Sequence, residues 1–133
     1  MEAATPPQGL IDTDILIDYT RGVQAAVQFL NPRRATGALR VSVMSGMELI
    51  QGSRNLVEQR MIERFLARIP VITVNDAVST RAYELMRTYF LSHGLLIVDA
   101  LLAATALEHG LTLYTLNVRD FRMVPNLSLV RPY

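Results

Sequence analysis

The chain has no cysteine, no tryptophan and no lysine; its thirteen basic residues are all arginine. Without cysteine there are no disulfides and no thiolate metal sites, a usage that fits a cytosolic protein. Without lysine, lysine-dependent chemistry is excluded, while guanidinium forks remain to grip phosphate in bidentate fashion. An all-arginine usage is also what a GC-rich genome produces on its own. Histidine is scarce: His93 adjoins Gly94 and His109 adjoins Gly110, both ordinary places for a structural histidine, so an imidazole-based metal site is not expected. No stretch approaches the ~20 uninterrupted apolar residues that a membrane span needs. The start, Met1 to Gly9, carries Pro6-Pro7 and no basic segment, which excludes a signal peptide and reads residues 1–8 as a flexible leader.

What is present is apolar surface and a balanced charge. Half of the 133 residues are hydrophobic, enough for one domain, residues 1–133, with a real core, and high enough to point to a homodimer or larger assembly. The net charge is only +1, but it need not be evenly spread. If Asp12, Asp14, Glu48, Asp99 and Asp120 gather in one place, thirteen Arg face seven remaining acids, a body of +6. A basic body around an acidic pit suits a metal-dependent nuclease.

The periodicity alternates strand and helix. Leu10-Ile11 leads into Asp12 as a buried strand, with Asp14 or Thr13 placed to cap the helix that follows. Asp18–Gly22 breaks two short helices, the second running to Pro32 and followed by a loop over 33–37. A strand over Leu39–Val43 hands over to a helix that carries Glu48 and stops near Gly52-Ser53. From Asn55 to Ile69, Leu56, Val57, Met61, Ile62, Phe65, Leu66 and Ile69 form an apolar stripe. Arg60, Arg64 and Arg68 line another face of that helix, either a solvated row relieved by Glu58 and Glu63 or an RNA contact. Strands over 71–74, 111–115 and 127–130, helices over 76–92 and 98–109, and a turn over 117–121 complete an α/β chain with a mostly parallel sheet.

Four acids share one placement. Asp12 ends the first strand, Glu48 follows the second, Asp99 opens the helix with Ala103 and Ala106 on its own face, and Asp120 follows the fourth strand. In a parallel sheet such ends lie on one edge, so these carboxylates can converge. Asp99 could equally be a plain N-cap. Hard divalent cations take oxygen ligands, and crowded carboxylates without a cation would repel one another.

Leu10-Ile11-Asp12-Thr13-Asp14, Ser42 with Glu48-Leu49, Val98-Asp99-Ala100-Leu101-Leu102-Ala103-Ala104-Thr105-Ala106 and Thr115-Leu116-Asn117-Val118-Arg119-Asp120-Phe121 resemble the four signatures of PIN domains, in order. More narrowly, they resemble VapC-type toxins of type II toxin–antitoxin pairs. The resemblance implies a three-layer α/β/α fold with a five-stranded parallel sheet. It also implies an Mg²⁺- or Mn²⁺-dependent endoribonuclease acting on RNA of the tRNA or rRNA class, in the cytoplasm, with a VapB-type antitoxin as partner. By position it makes Asp12, Glu48 and Asp99 the core acids and Asp120 the fourth, with Thr13, Asp14, Thr115 and Asn117 as supporting residues. Two departures mark this chain: Asn117 stands where many relatives carry Asp, and Asp14 where many carry Asn.

Three alternatives share features with this reading. Asp12-Thr13-Asp14 also mimics the start of a haloacid-dehalogenase-type phosphatase, but that family and receiver domains need a lysine. A housekeeping RNA-processing PIN nuclease would carry the same acids, and its usual appended RNA-binding domain is what this length leaves out. A catalytically dead binding module would be expected to lose some of the four acidic motifs.

Overall fold

Leu10 and Ile11 set the architecture, because neighbouring residues of a strand face opposite sides. In the computed structural model, which describes residues 8–133, both are fully buried, Leu10 in one apolar cluster and Ile11 in a second. They belong to β1 (Gly9–Ile11), the central strand of a five-stranded sheet with β2 (Leu39–Ser42), β3 (Val71–Ile72), β4 (Thr112–Tyr114) and β5 (Leu129–Val130). The order is β3-β2-β1-β4-β5 and every pairing is parallel.

Helices cover both faces, as a parallel sheet requires. On Leu10's side, α5 (Asp76–His93) and α6 (Ile97–His109) bury Val78, Ala82, Leu85, Leu102 and Ala103 with Leu113 and Phe121. On Ile11's side lie α1 (Thr13–Thr20), α2 (Gln24–Ala35), α3 (Val43–Gln51) and α4 (Leu56–Leu66), which pack Ile15, Leu16, Leu30 and Leu49 on Leu39 and Val41. This is the expected three-layer α/β/α arrangement. Gly9 is required because Tyr114 crosses it: a Cβ there would collide with the ring. That ring packs in turn on Phe29 of α2, centroids 4.9 Å apart.

Several boundaries differ from expectation, each for a local reason. α2 runs through Pro32 to Ala35 rather than stopping at it. A proline costs a helix one N–H bond, here the one the Gln28 carbonyl would receive, and the turn beyond it still closes with Thr36 N–H on the Pro32 carbonyl. β2 ends at Ser42 because that residue turns to cap α3, accepting from Met44 N–H. β3 and β5 are two-residue edge strands, shorter than the stretches 71–74 and 127–130. The apolar stripe of α4 is not a buried one: Leu56, Val57 and Met61 are exposed and no residue of the helix is fully buried. The residues 1–8 leader lies, but for Gln8, outside the described residues. Among the described residues, no helix is long and apolar enough to cross a membrane.

Candidate active site

The strand ladder outlasts the strands by one residue where it matters. Asp12 N–H donates to the Tyr114 carbonyl and Thr115 N–H to the Val130 carbonyl, which brings Asp12 and Thr115 side by side at one edge of the sheet. Asp12 then caps α1 itself, its Oδ1 accepting from Thr13 N–H at 2.7 Å. The cap is therefore neither Thr13 nor Asp14, the two residues expected there. The other oxygen of Asp12 accepts from Thr115 Oγ1 at 2.8 Å, and Thr115 Oγ1 in turn accepts from Asn117 N–H. Asp12 and Thr115 are both buried.

Asp14, one half-turn on, serves the loop after β4. Its Oδ2 accepts from Leu116 N–H at 3.0 Å and from Asn117 Nδ2 at 3.1 Å, and its Oδ1 accepts from Ile15 N–H. It is a clasp between α1 and residues 116–117. Asn117 spends its side-chain amide on this clasp, whereas Asp120 closes a 3₁₀ turn over Val118–Asp120 and is exposed. Glu48 reaches in from α3 and accepts from Thr13 Oγ1 at 2.7 Å.

Asp99 is the third residue of α6, whose N-cap is Leu96 without a side-chain cap bond. The plain N-cap reading of Asp99 therefore fails. Among the described residues its carboxylate takes no side-chain hydrogen bond, and Ala103 and Ala106 behind it are buried, letting α6 sit close to the sheet.

Charge ties the acids together. Burial, then the Asp14 carboxylate and more weakly Asp99, push the Asp12 carboxyl up to about 7, against the Thr115 and Thr13 hydrogen bonds. Burial, then Asp120, Glu48 and Asp14, push Asp99 up to about 6. Burial raises Asp14 as well, although the bonds from Leu116 and Ile15 oppose it. Among the described residues the ion pairs, Arg54–Glu58 and Arg81–Glu108, lie elsewhere. Among the described residues, none of the five carboxylates along this edge takes part in an ion pair.

This donor set suits a hard divalent cation: all oxygen, no sulfur, and neither histidine, since His93 and His109 sit in the last turns of α5 and α6. The carboxylates are coupled through charge but not already drawn to ligand spacing. Among the described residues, no three His, Asp or Glu side chains are gathered as a ready metal shell. A cleft of about 810 Å³ opens beside Glu48, walled by Ile17, Leu49, Met61, Ile62 and Phe65, with Arg21 and Arg54 on it.

The four motifs now stand where one family places them, and the PIN-domain profile matches residues 9–127. The chain belongs to the PIN-domain family. Ribonuclease VapC10 of Mycobacterium tuberculosis is 42% identical over 120 residues, 90% of each chain. Ribonuclease VapC19 of the same organism is 36% identical over 121 residues, 90% of this chain and 96% of its own. Among solved structures, a toxin–antitoxin complex from Klebsiella pneumoniae superposes with a TM-score of 0.79 at 29% identity, covering 95% of this chain and 98% of that one.

Within this PIN domain, Asp12, Glu48, Asp99 and Asp120 lie along one sheet edge and are linked by charge through Asp99, with Thr13, Asp14, Thr115 and Asn117 hydrogen-bonded beside them. Sequence reasoning passed over Ser45, fully buried one turn before Glu48, whose hydroxyl meets Thr13 Oγ1 at 3.0 Å. The only sign of it was a small polar residue at i−3 from a functional acid. Tyr133 was also missed: its hydroxyl donates to Asp18 Oδ2 at 2.9 Å, and burial with the neighbouring acids raises its pKa.

Proposed function

We propose that this PIN domain is the endoribonuclease toxin of a toxin–antitoxin pair, cutting RNA with Mg²⁺ or Mn²⁺ held by Asp12, Glu48, Asp99 and Asp120. The observation that carries the reading is the gathering of carboxylates at one sheet edge, Asp12 and Asp99 with raised pKa, none of them in an ion pair among the described residues. Strong perturbation at one edge of a parallel sheet marks a functional site. The named ribonucleases at 42% and 36% identity point the activity toward RNA.

Each side chain has a distinct task. Asp12, oriented through both oxygens by Thr13 N–H and the Thr115 hydroxyl, offers its remaining lone pairs in a fixed direction. Asp99 needs no reorientation by a partner, because the closely packed α6 sets its position. Asp14 and Asn117 hold the loop that presents Asp120, so Asp120 rather than Asn117 takes the fourth role. A divalent cation, when bound, supplies neutralisation of phosphate charge and activation of water. The exposed Arg60, Arg64 and Arg68, in neither ion pair, are free to meet RNA phosphates.

The cleft beside Glu48, with the exposed Met61 on its wall, is the surface an amphipathic segment of a VapB-type antitoxin would cover. The Klebsiella pneumoniae structure is a toxin–antitoxin complex, which supports such a partner. The test is expression of the chain alone and beside the small gene adjoining its own. Growth arrest relieved by that gene supports the toxin reading, and unimpaired growth under full expression contradicts it.

A further inference from the structure

We infer that Ser45 and Thr13 form a hydroxyl relay that positions Glu48 for the divalent cation. The inference rests on the ribonuclease reading above and adds two positioning residues to it. A hydroxyl has one proton to give and two lone pairs to receive. Thr13 Oγ1 lies 2.7 Å from Glu48 Oε1 and 3.0 Å from Ser45 Oγ. An ionised carboxylate only accepts, so the Thr13 proton goes to Glu48. Thr13 Oγ1 faces two acceptors with one proton; given to the closer Glu48 Oε1, it leaves the Thr13 oxygen open to the Ser45 hydroxyl, and the chain then runs Ser45 to Thr13 to Glu48.

Three features make this a device rather than a chance contact. Ser45 is 0% exposed and Thr13 7%, while Glu48 is exposed, so the relay runs from the interior outward. Ser45 and Glu48 are i and i+3 on α3, neighbours on one helix face, and Thr13 begins α1, so the relay bridges the helices that leave β1 and β2. The site also contains the same wiring a second time: Asn117 N–H donates to Thr115 Oγ1, and Thr115 donates to Asp12 Oδ2. In each case a neighbouring group meets the threonine oxygen and leaves its proton for a carboxylate. Thr13 is β-branched and stiff at χ1, whereas the exposed Glu48 side chain has no such restriction of its own.

The experiment is calorimetric titration of Mn²⁺ into the purified full chain, beside RNA cleavage kinetics and melting in EDTA. Outer partners of metal-binding carboxylates are worth ~10–100-fold in affinity or activity. Thr13→Val should therefore weaken Mn²⁺ binding roughly tenfold or more, and Thr13→Ser should restore it. Ser45→Ala should weaken it less, and adding Ser45→Ala to Thr13→Val should change nothing further, because Ser45 acts only through Thr13. Wild-type affinity in Thr13→Val, or losses that add in the double variant, would overturn the relay. If Thr13→Val does not fold, Ser45→Ala decides: it must weaken Mn²⁺ binding with Glu48 present and have no effect in the Glu48→Gln chain. A wild type that neither binds Mn²⁺ nor cleaves RNA overturns the ribonuclease reading itself, whereas binding and cleavage with an insensitive relay overturn only the relay.

Discussion

Asp99→Asn in the metal-free protein is a substitution at the site that should stabilise the fold. The Asp99 carboxyl stands at about 6 against an ordinary 3.8, raised by burial and by Asp120, Glu48 and Asp14. At ~1.4 kcal/mol per pK unit this gap is roughly 3 kcal/mol. The residue is only half-buried, so solvent screening reduces the usable part to about 1–1.5 kcal/mol. The sign follows from proton linkage. A folded pKa above the unfolded one means the native state holds its proton more tightly. That contribution is fully present below pH ~4 and is lost as pH rises through about 6.

Asparagine keeps the shape and never ionises. Variant and wild type should therefore melt together near pH 4, and the variant should pull ahead between pH 4 and 6. Above pH 7 in EDTA it should melt about 3–7 °C higher, at a few degrees per kcal/mol for a chain of this size. Mg²⁺ should stabilise wild type by mass action, about 2.7 kcal/mol at a hundred times its dissociation constant, and the variant much less. Melting curves over pH 4–8, each with EDTA and with Mg²⁺, read all of this. A variant that melts lower at pH 7.5, or whose difference from wild type ignores pH, would refute the charge-crowding argument.

Three further outcomes are expected. Phe121→Ala removes a ring that is 1% exposed in the α5/α6 core and should cost ~3–5 kcal/mol, seen as a lower denaturant midpoint with an unchanged slope. The exposed Phe90, Leu91, Leu96 and Ile97 at the α5–α6 junction should make the protein a dimer or larger by light scattering at micromolar concentration; a monomer there would refute this. Met61→Glu, on the wall of the cleft, should abolish co-purification with the antitoxin while leaving RNA cleavage intact, and a retained complex would remove the cleft as the docking site.

The sheet and its helices were legible in the sequence because buried strands and helix caps leave local marks. Leu10-Ile11, Asn55, Asn75, Gly94 and Gly110 each specify their own neighbourhood. The placement of Asp12, Glu48 and Asp120 was legible because each follows a strand, and like strand ends of a parallel sheet share an edge. Three things were not readable. α2 passes Pro32 at the loss of one backbone bond, against the local rule that a proline ends a helix. The exposure of Leu56, Val57 and Met61 depends on where α4 lies, since the same stripe could face a core or a partner. The roles of Ser45 and Asp14 depend on hydrogen bonds spanning 32 and 102 residues, so periodicity carries no trace of them.

The most direct test of the account is cleavage of RNA by the purified chain in Mg²⁺ or Mn²⁺, in EDTA, and by Asp12→Asn. Asp12 bonds both Thr13 and Thr115 and is coupled by charge to Asp14 and Asp99. The account predicts endonucleolytic cleavage with either metal, none in EDTA, restoration when the metal is returned, and loss of activity in a folded Asp12→Asn. Cleavage that persists undiminished in EDTA, or in Asp12→Asn, would contradict it.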